Sequence, residues 1–389
     1  MKFNRAGLLV FVLSFIASPF CIAADNEIKI GMSVALSGSA ASLGNDMKLG
    51  VETMVKHVND RGGINGKRIS LQALDDGYNP VQAGTNVRKL IDQDNIIAAI
   101  GNVGTPTAIV TVPIFNKKKV LLFGAFTGAG LLRKTPPDRY IINYRASYAQ
   151  ETEAMIKGLM ANGIDPREIA FFTQNDGYGD AGYNGAVKAL NAMGFNDTDS
   201  LAHGRYTRGT TNIEDGLSTI LDSKVKPKAV IMVGAYKACS EFIKLAKQEL
   251  PNVVYLNVSF VGSNALAKAL GKDGEGVVVT QVVPHYASDI SLVTEYRDRL
   301  KKYFPDSQPG FVSLEGYIAA KLLVEGLKNA KNNTTEALID SIHQISNYNI
   351  GTGNEVSFSQ SHHQASSSVW PTVINNGKLA PLEWKNLRR

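Results

Sequence analysis

From Ile96 to Leu131 the chain reads IIAAIGNVGTPTAIVTVPIFNKKKVLLFGAFTGAGL, and this stretch decides the fold. Two apolar runs, Ile96 to Ile100 and Val120 to Phe123, show no alternation, and each stops at a glycine. That is the pattern of strands buried on both faces of a parallel sheet. Each run gives way to a loop of small residues, Gly-Asn-Val-Gly-Thr after the first and Gly-Ala-Phe-Thr-Gly-Ala-Gly after the second. Ligands of open parallel sheets lie outside the carboxyl ends of the strands, so these loops are where a site is expected. After Thr105 a helix begins with Pro106 just inside it. Its unpaired N–H groups and positive dipole end then point into the crevice, which suits an anion such as a carboxylate.

The same βα rhythm extends in both directions. Ile28 to Ala35 reads as a strand, Asp46 to Asn59 as a helix stopped by Arg-Gly-Gly, Arg68 to Asp75 as a strand, and Pro80 to Gln93 as a helix. Tyr140 to Tyr144 continues the series. A second series follows: helix Glu151 to Ala161, strand Ile169 to Thr173, helix Asp180 to Met193, helix Asn212 to Ser223, strand Ala229 to Val233, helix Ala238 to Gln248 and strand Val253 to Leu256. Two series of similar length imply an α/β protein of two lobes. Beyond Gly276 come a strand, Val277 to Thr280, helices Ile290 to Tyr303, Val312 to Ala330 and Thr335 to Ile345, and strands near Glu355 to Phe358 and Val369 to Asn375. The helix from Val312 is too apolar to stand in a third domain and should pack back on one of the lobes.

Composition narrows the function. The 389 residues are 44% hydrophobic and 20% charged, an ordinary globular balance. Lys2 and Arg5 precede an apolar run from Ala6 to Phe20, then Cys-Ile-Ala-Ala before Asp25. This reads as a secretory signal, residues 1–24, cleaved near Ala23 or Ala24, so the mature chain is expected in the periplasm. Phe20 is too large for the position before a lipidated Cys21. Losing Lys2 and Arg5 takes the formal charge from +6 to +4, and no basic stripe argues for nucleic acid. Without Cys21, Cys239 stands alone, and it reads as a packed thiol.

No Gly-x-Ser-x-Gly elbow, Walker loop or His-Glu-x-x-His occurs, so an enzyme would need a site assembled from scattered residues, and a binding protein is the expectation. His362-His363 is the close pair among six histidines, but neighbours on a strand point to opposite faces, so surface or capping roles are expected and no metal site. Asp176-Gly-Tyr-Gly-Asp180 lacks the ligand alternation of a calcium loop. Nothing calls for a cofactor. What remains is a set of loop residues suited to a small polar molecule: Tyr148, Tyr178 and Tyr236 each at or just after a strand end, with an apolar face and a hydroxyl. Arg145 either pairs with a carboxylate or ties the two lobes together.

Ordered motifs over nearly the whole mature chain resemble the branched-chain amino-acid (Leu/Ile/Val-binding) branch of the type I periplasmic solute-binding proteins, the receptors of ABC importers. They are Lys29-Ile-Gly, Leu36-Ser-Gly, Asn59-x-x-Gly-Gly-Ile-Asn-Gly, Asp75-Asp, Asn79-Pro, Ile100-Gly, Arg145-Ala-Ser-Tyr, Gly177-Tyr-Gly-Asp and Glu315-Gly-Tyr-Ile-Ala-Ala-Lys. The resemblance implies two Rossmann-like lobes, 25–145 plus 285–354 and 146–284 plus 355–389. Three crossovers near Ala146, Pro284 and Asn354 would join them, with ligand in the cleft and hinge closure around it. It also implies a monomer that hands a small-molecule ligand to a membrane permease or, in the alternative, reports it to a membrane sensor.

By the same resemblance the ligand carboxylate is held by Thr105 and by the loop Phe126, Thr127 and Gly128, and Tyr236 closes from the second lobe. The acid that pairs with the ammonium in leucine-type receptors falls on Ser259, and the aromatic residue of the first loop on Leu43. The family's disulfide positions fall near Tyr78 and Gly104, so that bridge is missing. A buried ammonium without a countercharge is costly. Asp176 or Glu315 would have to supply the anion; otherwise the ligand is a different carboxylate, aromatic or hydroxylated.

Overall fold

The protein is described by a computed structural model over residues 27–387; the signal sequence expected at 1–24 lies outside the described residues. The first lobe opens with β1 (Glu27–Val34), α1 (Ala41–Asp60), β2 (Arg68–Asp75), α2 (Pro80–Asp92), β3 (Ala98–Ile100), α3 (Thr105–Lys118), β4 (Leu121–Phe123) and β5 (Ile141–Ile142). These strands form a parallel sheet in the order β2-β1-β3-β4-β5. Every residue of β3 and β4 is buried, which is why their sequences run apolar without alternation. Gly101 and Gly124 follow these strands with φ of 66° and 56°, a left-handed turn that sends both chains sharply off the sheet end.

The second lobe contains α4 (Tyr148–Ala161), β6 (Ile169–Gln174), α5 (Gly177–Ala192), β7 (His203–Tyr206), α6 (Glu214–Leu221), β8 (Ala229–Val233), α7 (Tyr236–Glu249), β9 (Val254–Asn257), α8 (Ser263–Leu270) and β10 (Val278–Gln281). The chain then returns to the first lobe for α9 (Ser291–Tyr303), α10 (Phe311–Asn329), α11 (Thr335–Ile342) and the small ribbon β11 (Tyr348–Asn349) and β12 (Glu355–Val356). It ends on the second sheet with β13 (Trp370–Asn375) and β14 (Lys378–Pro381), giving the order β14-β13-β10-β9-β8-β6-β7. β6 to β10 are parallel, whereas β13 and β14 form an antiparallel edge hairpin.

The long apolar helix α10 packs on α1 of the first lobe. Two glycines permit that close crossing: a Cβ on Gly50 would lie 1.9 Å from the Ser313 carbonyl oxygen, and one on Gly316 would lie 2.3 Å from that of Met47. The family resemblance puts the third crossover near Asn354. In the structure the Phe358 N–H donates to the Ile345 carbonyl, and Ala365 and Ser366 donate to the carbonyls of Asn143 and Tyr144. Trp370 is the first residue beyond them in the second sheet, so the return runs from Ser366 to Trp370. The first and third crossovers therefore lie side by side, joined by backbone hydrogen bonds.

Candidate functional site

Two loops at the carboxyl ends of β3 and β4 are laced together beyond the sheet. The Phe126 N–H donates to the Asn102 carbonyl (2.8 Å), and the Gly104 N–H to the Phe126 carbonyl (3.1 Å). This brings the Thr105 and Thr127 hydroxyls into one hydrogen bond of 2.7 Å, with both side chains fully buried. Thr105 begins α3, and Gly104 at its N-cap has a φ of 105° and supplies no capping side chain, so the leading N–H groups are left for another acceptor. A Cβ on Gly104 would lie 2.3 Å from the Tyr78 ring. The two positions that the family resemblance pairs as cysteines are thus in contact, filled here by a ring against a glycine. Gly128 accepts the Tyr148 N–H (2.9 Å), seating the start of α4 on the first lobe.

The tyrosines picked out from the sequence all fall in first turns of helices: Tyr148 in α4, Tyr178 in α5 and Tyr236 in α7. Tyr148 and Tyr178 meet with ring centroids 5.3 Å apart. Phe260, in the turn after β9, joins them at 6.4 Å and 4.7 Å and reaches across to Phe126 (5.2 Å) and Tyr78 (6.1 Å) of the first lobe. Tyr236 is half-buried and makes no ring contact, so the structure does not bring it into this cluster.

The lobes meet around these rings. Gln174 donates to the Tyr78 hydroxyl (3.3 Å) and accepts from Tyr206 (3.0 Å). The Ile109 side chain lies 2.7 Å from where a Gly177 Cβ would sit, and Leu43 lies 2.4 Å from the corresponding point of Gly262. Leu43, in the place of the family's aromatic residue, is therefore an interlobe contact.

Behind the rings lies a buried charge cluster. Arg145, 1% exposed, donates from Nη2 to Glu151 (3.2 Å) and to the Ser259 hydroxyl, and its Nη1 stands 3.5 Å from Glu315. Its guanidinium lies 4.9 Å from the Phe126 ring centre and 5.7 Å from that of Tyr148. Glu151 is fully engaged, accepting from the Ser259 N–H (2.7 Å), the Ser259 hydroxyl (2.9 Å) and Thr280 (2.6 Å). Burial, only partly offset by Arg145, pushes the Glu315 carboxyl up to about 7. Desolvation and then the neighbouring Arg145 push Arg133 down to about 9; it donates to the carbonyls of Thr127, Ala129 and Arg145. Arg145 thus ties the lobes, and it still has Nε and Nη1 without hydrogen bonds, as are the Tyr148 hydroxyl beside Thr127, Asn102 Nδ2 and the Asn257 amide.

Of the two acids considered as an ammonium partner, Asp176 caps α5, accepting from Tyr178 N–H, Gln174 and Arg208, and Glu315 faces Arg145. Sequence reasoning missed Glu151, Phe260 and Tyr78. Helical spacing from Tyr148 puts Glu151 on the face that also carries Met155, which is the signal that could have exposed it. Cys239 is buried, and burial alone pushes its thiol far up, as expected of a packed cysteine. His363 is buried, unlike the surface or capping role expected of it, because it holds the third crossover: its ring meets the Ile141 carbonyl and His343, each at 2.9 Å. Beside Gly128 a groove of about 890 Å³ runs between the 128–133 loop and α4–α5, with Arg133, Lys157 and Lys188 on its walls.

A family model described as periplasmic binding protein matches residues 27–378. A solved structure, a possible leucine/isoleucine/valine-binding protein from Rhodopirellula baltica SH 1, is 44% identical with a TM-score of 0.91, covering 93% of this chain and 98% of that one. The Leu/Ile/Val-binding protein homolog 7 of Brucella abortus (strain 2308) is 24% identical over 97% of this chain and 96% of its own. A branched chain amino acid ABC transporter structure from Thermus thermophilus, with bound valine, shares the fold at a TM-score of 0.81 and 17% identity, covering 92% of this chain and 95% of that one.

Proposed function

Because the chain belongs to the periplasmic binding protein family, of the Leu/Ile/Val-binding type, we propose that it is the solute-binding subunit of an ABC importer. In this reading the protein works outside the cytoplasm, captures a small carboxylate-bearing molecule between its lobes and delivers it to a membrane permease. The observation that carries it is the Thr105–Thr127 pair at the uncapped start of α3. Hydroxyls and free backbone N–H groups converge there at the positive end of a helix, an acceptor-seeking surface closed over by the rings of the second lobe. Arg145 is already paired with Glu151 and Glu315, and its Nε–H is the donor from which a ligand oxygen could still accept.

Capture needs no covalent step. The crossovers act as the hinge, and closure buries the ligand and forms the surface that the permease reads. The site residues proposed are Thr105, Phe126, Thr127, Gly128, Tyr148, Tyr178, Tyr236 and Ser259, with Ser259 acting through its bonds to Glu151 and Arg145. Mass spectrometry of the small molecules that co-purify with the mature chain should recover a carboxylic acid. Its affinity by calorimetry should fall in Thr105→Ala and in Tyr236→Ala; unchanged affinity in both would count against the site.

A further inference from the structure

We infer that the cleft selects a carboxylate that carries an aromatic ring and no α-ammonium. The inference rests on the reading that the interlobe cleft is the ligand site, and it follows from what that cleft offers and what it lacks.

It lacks an uncommitted carboxylate for an ammonium; the unpartnered acceptor there, Asn257 Oδ1, is neutral. Glu151 is saturated by Arg145, Ser259 and Thr280. Asp176 is spent on the start of α5 and on Arg208. Asp76 accepts from the Ser33 hydroxyl (2.7 Å) and the Tyr78 N–H (2.9 Å). Glu315 has Arg145 as its partner, and with its carboxyl pushed up to about 7 it carries only part of a charge near neutrality. A buried ammonium would meet no committed countercharge, a penalty that exceeds what apolar contacts return.

The buried groups without a hydrogen bond include several donors: Arg145 Nε, the Tyr148 hydroxyl, Asn102 Nδ2 and Asn257 Nδ2, while Arg145 Nη1 faces Glu315. Donors left unpaired away from water are satisfied by the oxygens of a carboxylate. The Arg145 guanidinium lies over Phe126, so the carboxylate-binding end adjoins the rings directly.

The rest of the space is aromatic. Phe126 and Tyr78 come from the first lobe, Tyr148, Tyr178 and Phe260 from the second, and all of these rings are buried. Phe260 stacks on Phe126 across the lobe boundary, centroids 5.2 Å apart. When the lobes part, this contact opens, and a flat ring about 3.5 Å thick fits between the two faces and stacks on both. A branched aliphatic tail is thicker and forfeits the stacking.

Four ligands separate the two parts of the claim by calorimetry on the mature chain: L-leucine, its deaminated counterpart 4-methylpentanoate, L-phenylalanine and its counterpart 3-phenylpropanoate. Expected is that 3-phenylpropanoate binds about tenfold or more tighter than L-phenylalanine, for the missing ammonium, and about tenfold or more tighter than 4-methylpentanoate, for the ring. Tyr148→Phe, which removes only the unpartnered hydroxyl, should weaken 3-phenylpropanoate about tenfold with the melting temperature kept. Phe260→Leu should shrink the preference for the ring and leave the ammonium penalty in place. Either amino acid binding as tightly as its deaminated partner overturns the inference and leaves the receptor reading standing. Binding of none of the four also overturns it, and the receptor reading then falls only if no carboxylic acid co-purifies.

Discussion

Phe260 of the second lobe lies on Phe126 of the first, ring centroids 5.2 Å apart and planes inclined by 28°. The ring is fully buried, so it is a core side chain and, on the proposed function, a latch between lobes that part to admit ligand. Phe260→Ala should cost about 3 kcal/mol or more of stability, as for other buried phenylalanines. It should also shift the ligand-free chain towards open forms. A lower melting temperature with a larger radius of gyration by solution scattering is the expected pair of results.

The hydroxyls of Thr105 and Thr127 satisfy each other in full burial. Thr105→Val strands the Thr127 hydroxyl and should cost about 1–3 kcal/mol. Adding Thr127→Val removes both partners, so the double variant should be less destabilised than the sum of the two singles. Part of the loss remains, because the Ala129 N–H also donates to Thr127. Denaturant melts of the four species measure this coupling.

Gly128 and Gly130 occupy the same loop and answer differently to an added methyl. A Cβ on Gly128 would stand 2.6 Å from the Tyr148 ring and backbone nitrogen, whereas nothing lies within 4 Å of one on Gly130. Gly128→Ala should lower the melting temperature and weaken ligand binding. Gly130→Ala should leave both near wild type or stabilise the chain by about 0.5 kcal/mol.

Burial raises the Glu315 carboxyl from 4.5 to about 7 in the folded chain. Between those values the folded state holds more protons than the unfolded one, so stability falls as pH rises through the window. Asp46 and Asp76, each raised to about 6 by burial, act in the same sense. Glu315→Gln removes one contribution, and its melting temperature should decline less than that of wild type between about pH 5 and about pH 8. A parallel decline in both proteins would mean that Glu315 is charged throughout, held by Arg145.

Strands β2 and β8 are read from sequence at their observed limits, because turn residues or charge bound a run that fits one sheet position. β7 is not legible: His-Gly-Arg-Tyr has no apolar period, and it becomes a strand by pairing with β6 and by packing Gly204 against Gly216. Helix α8 is short and starts at Gly262, which reads as a turn. β14 did carry a signal, since Asn376-Gly377 with both φ positive is the preferred hairpin turn. The late return to the second lobe was hidden because 357–368 is polar and serine-rich, and long-range bonds to Asn143, Tyr144, Ile141, His343 and Ile345 keep it on the first lobe.

Within the candidate site, the loops that carry Thr105 and Phe126 to Gly128 were legible as glycine-rich exits of buried strands, and the family resemblance picked out the four residues. Their contact with Tyr148 follows from one backbone bond to Gly128. Phe260 and Glu151 were not, since a lone phenylalanine after a strand and an acid in a first helical turn look like core and cap until the fold sets Arg145 and Ser259 beside them.

The central claim is that one ligand touches both lobes at once. Hydrogen–deuterium exchange of the mature chain, with and without the carboxylic acid recovered from it, tests this most directly. The account predicts simultaneous protection of segments 102–107 and 126–129 of the first lobe and 176–179 and 258–262 of the second. Protection confined to one lobe, or to the groove walls around Lys157 and Lys188, would contradict it.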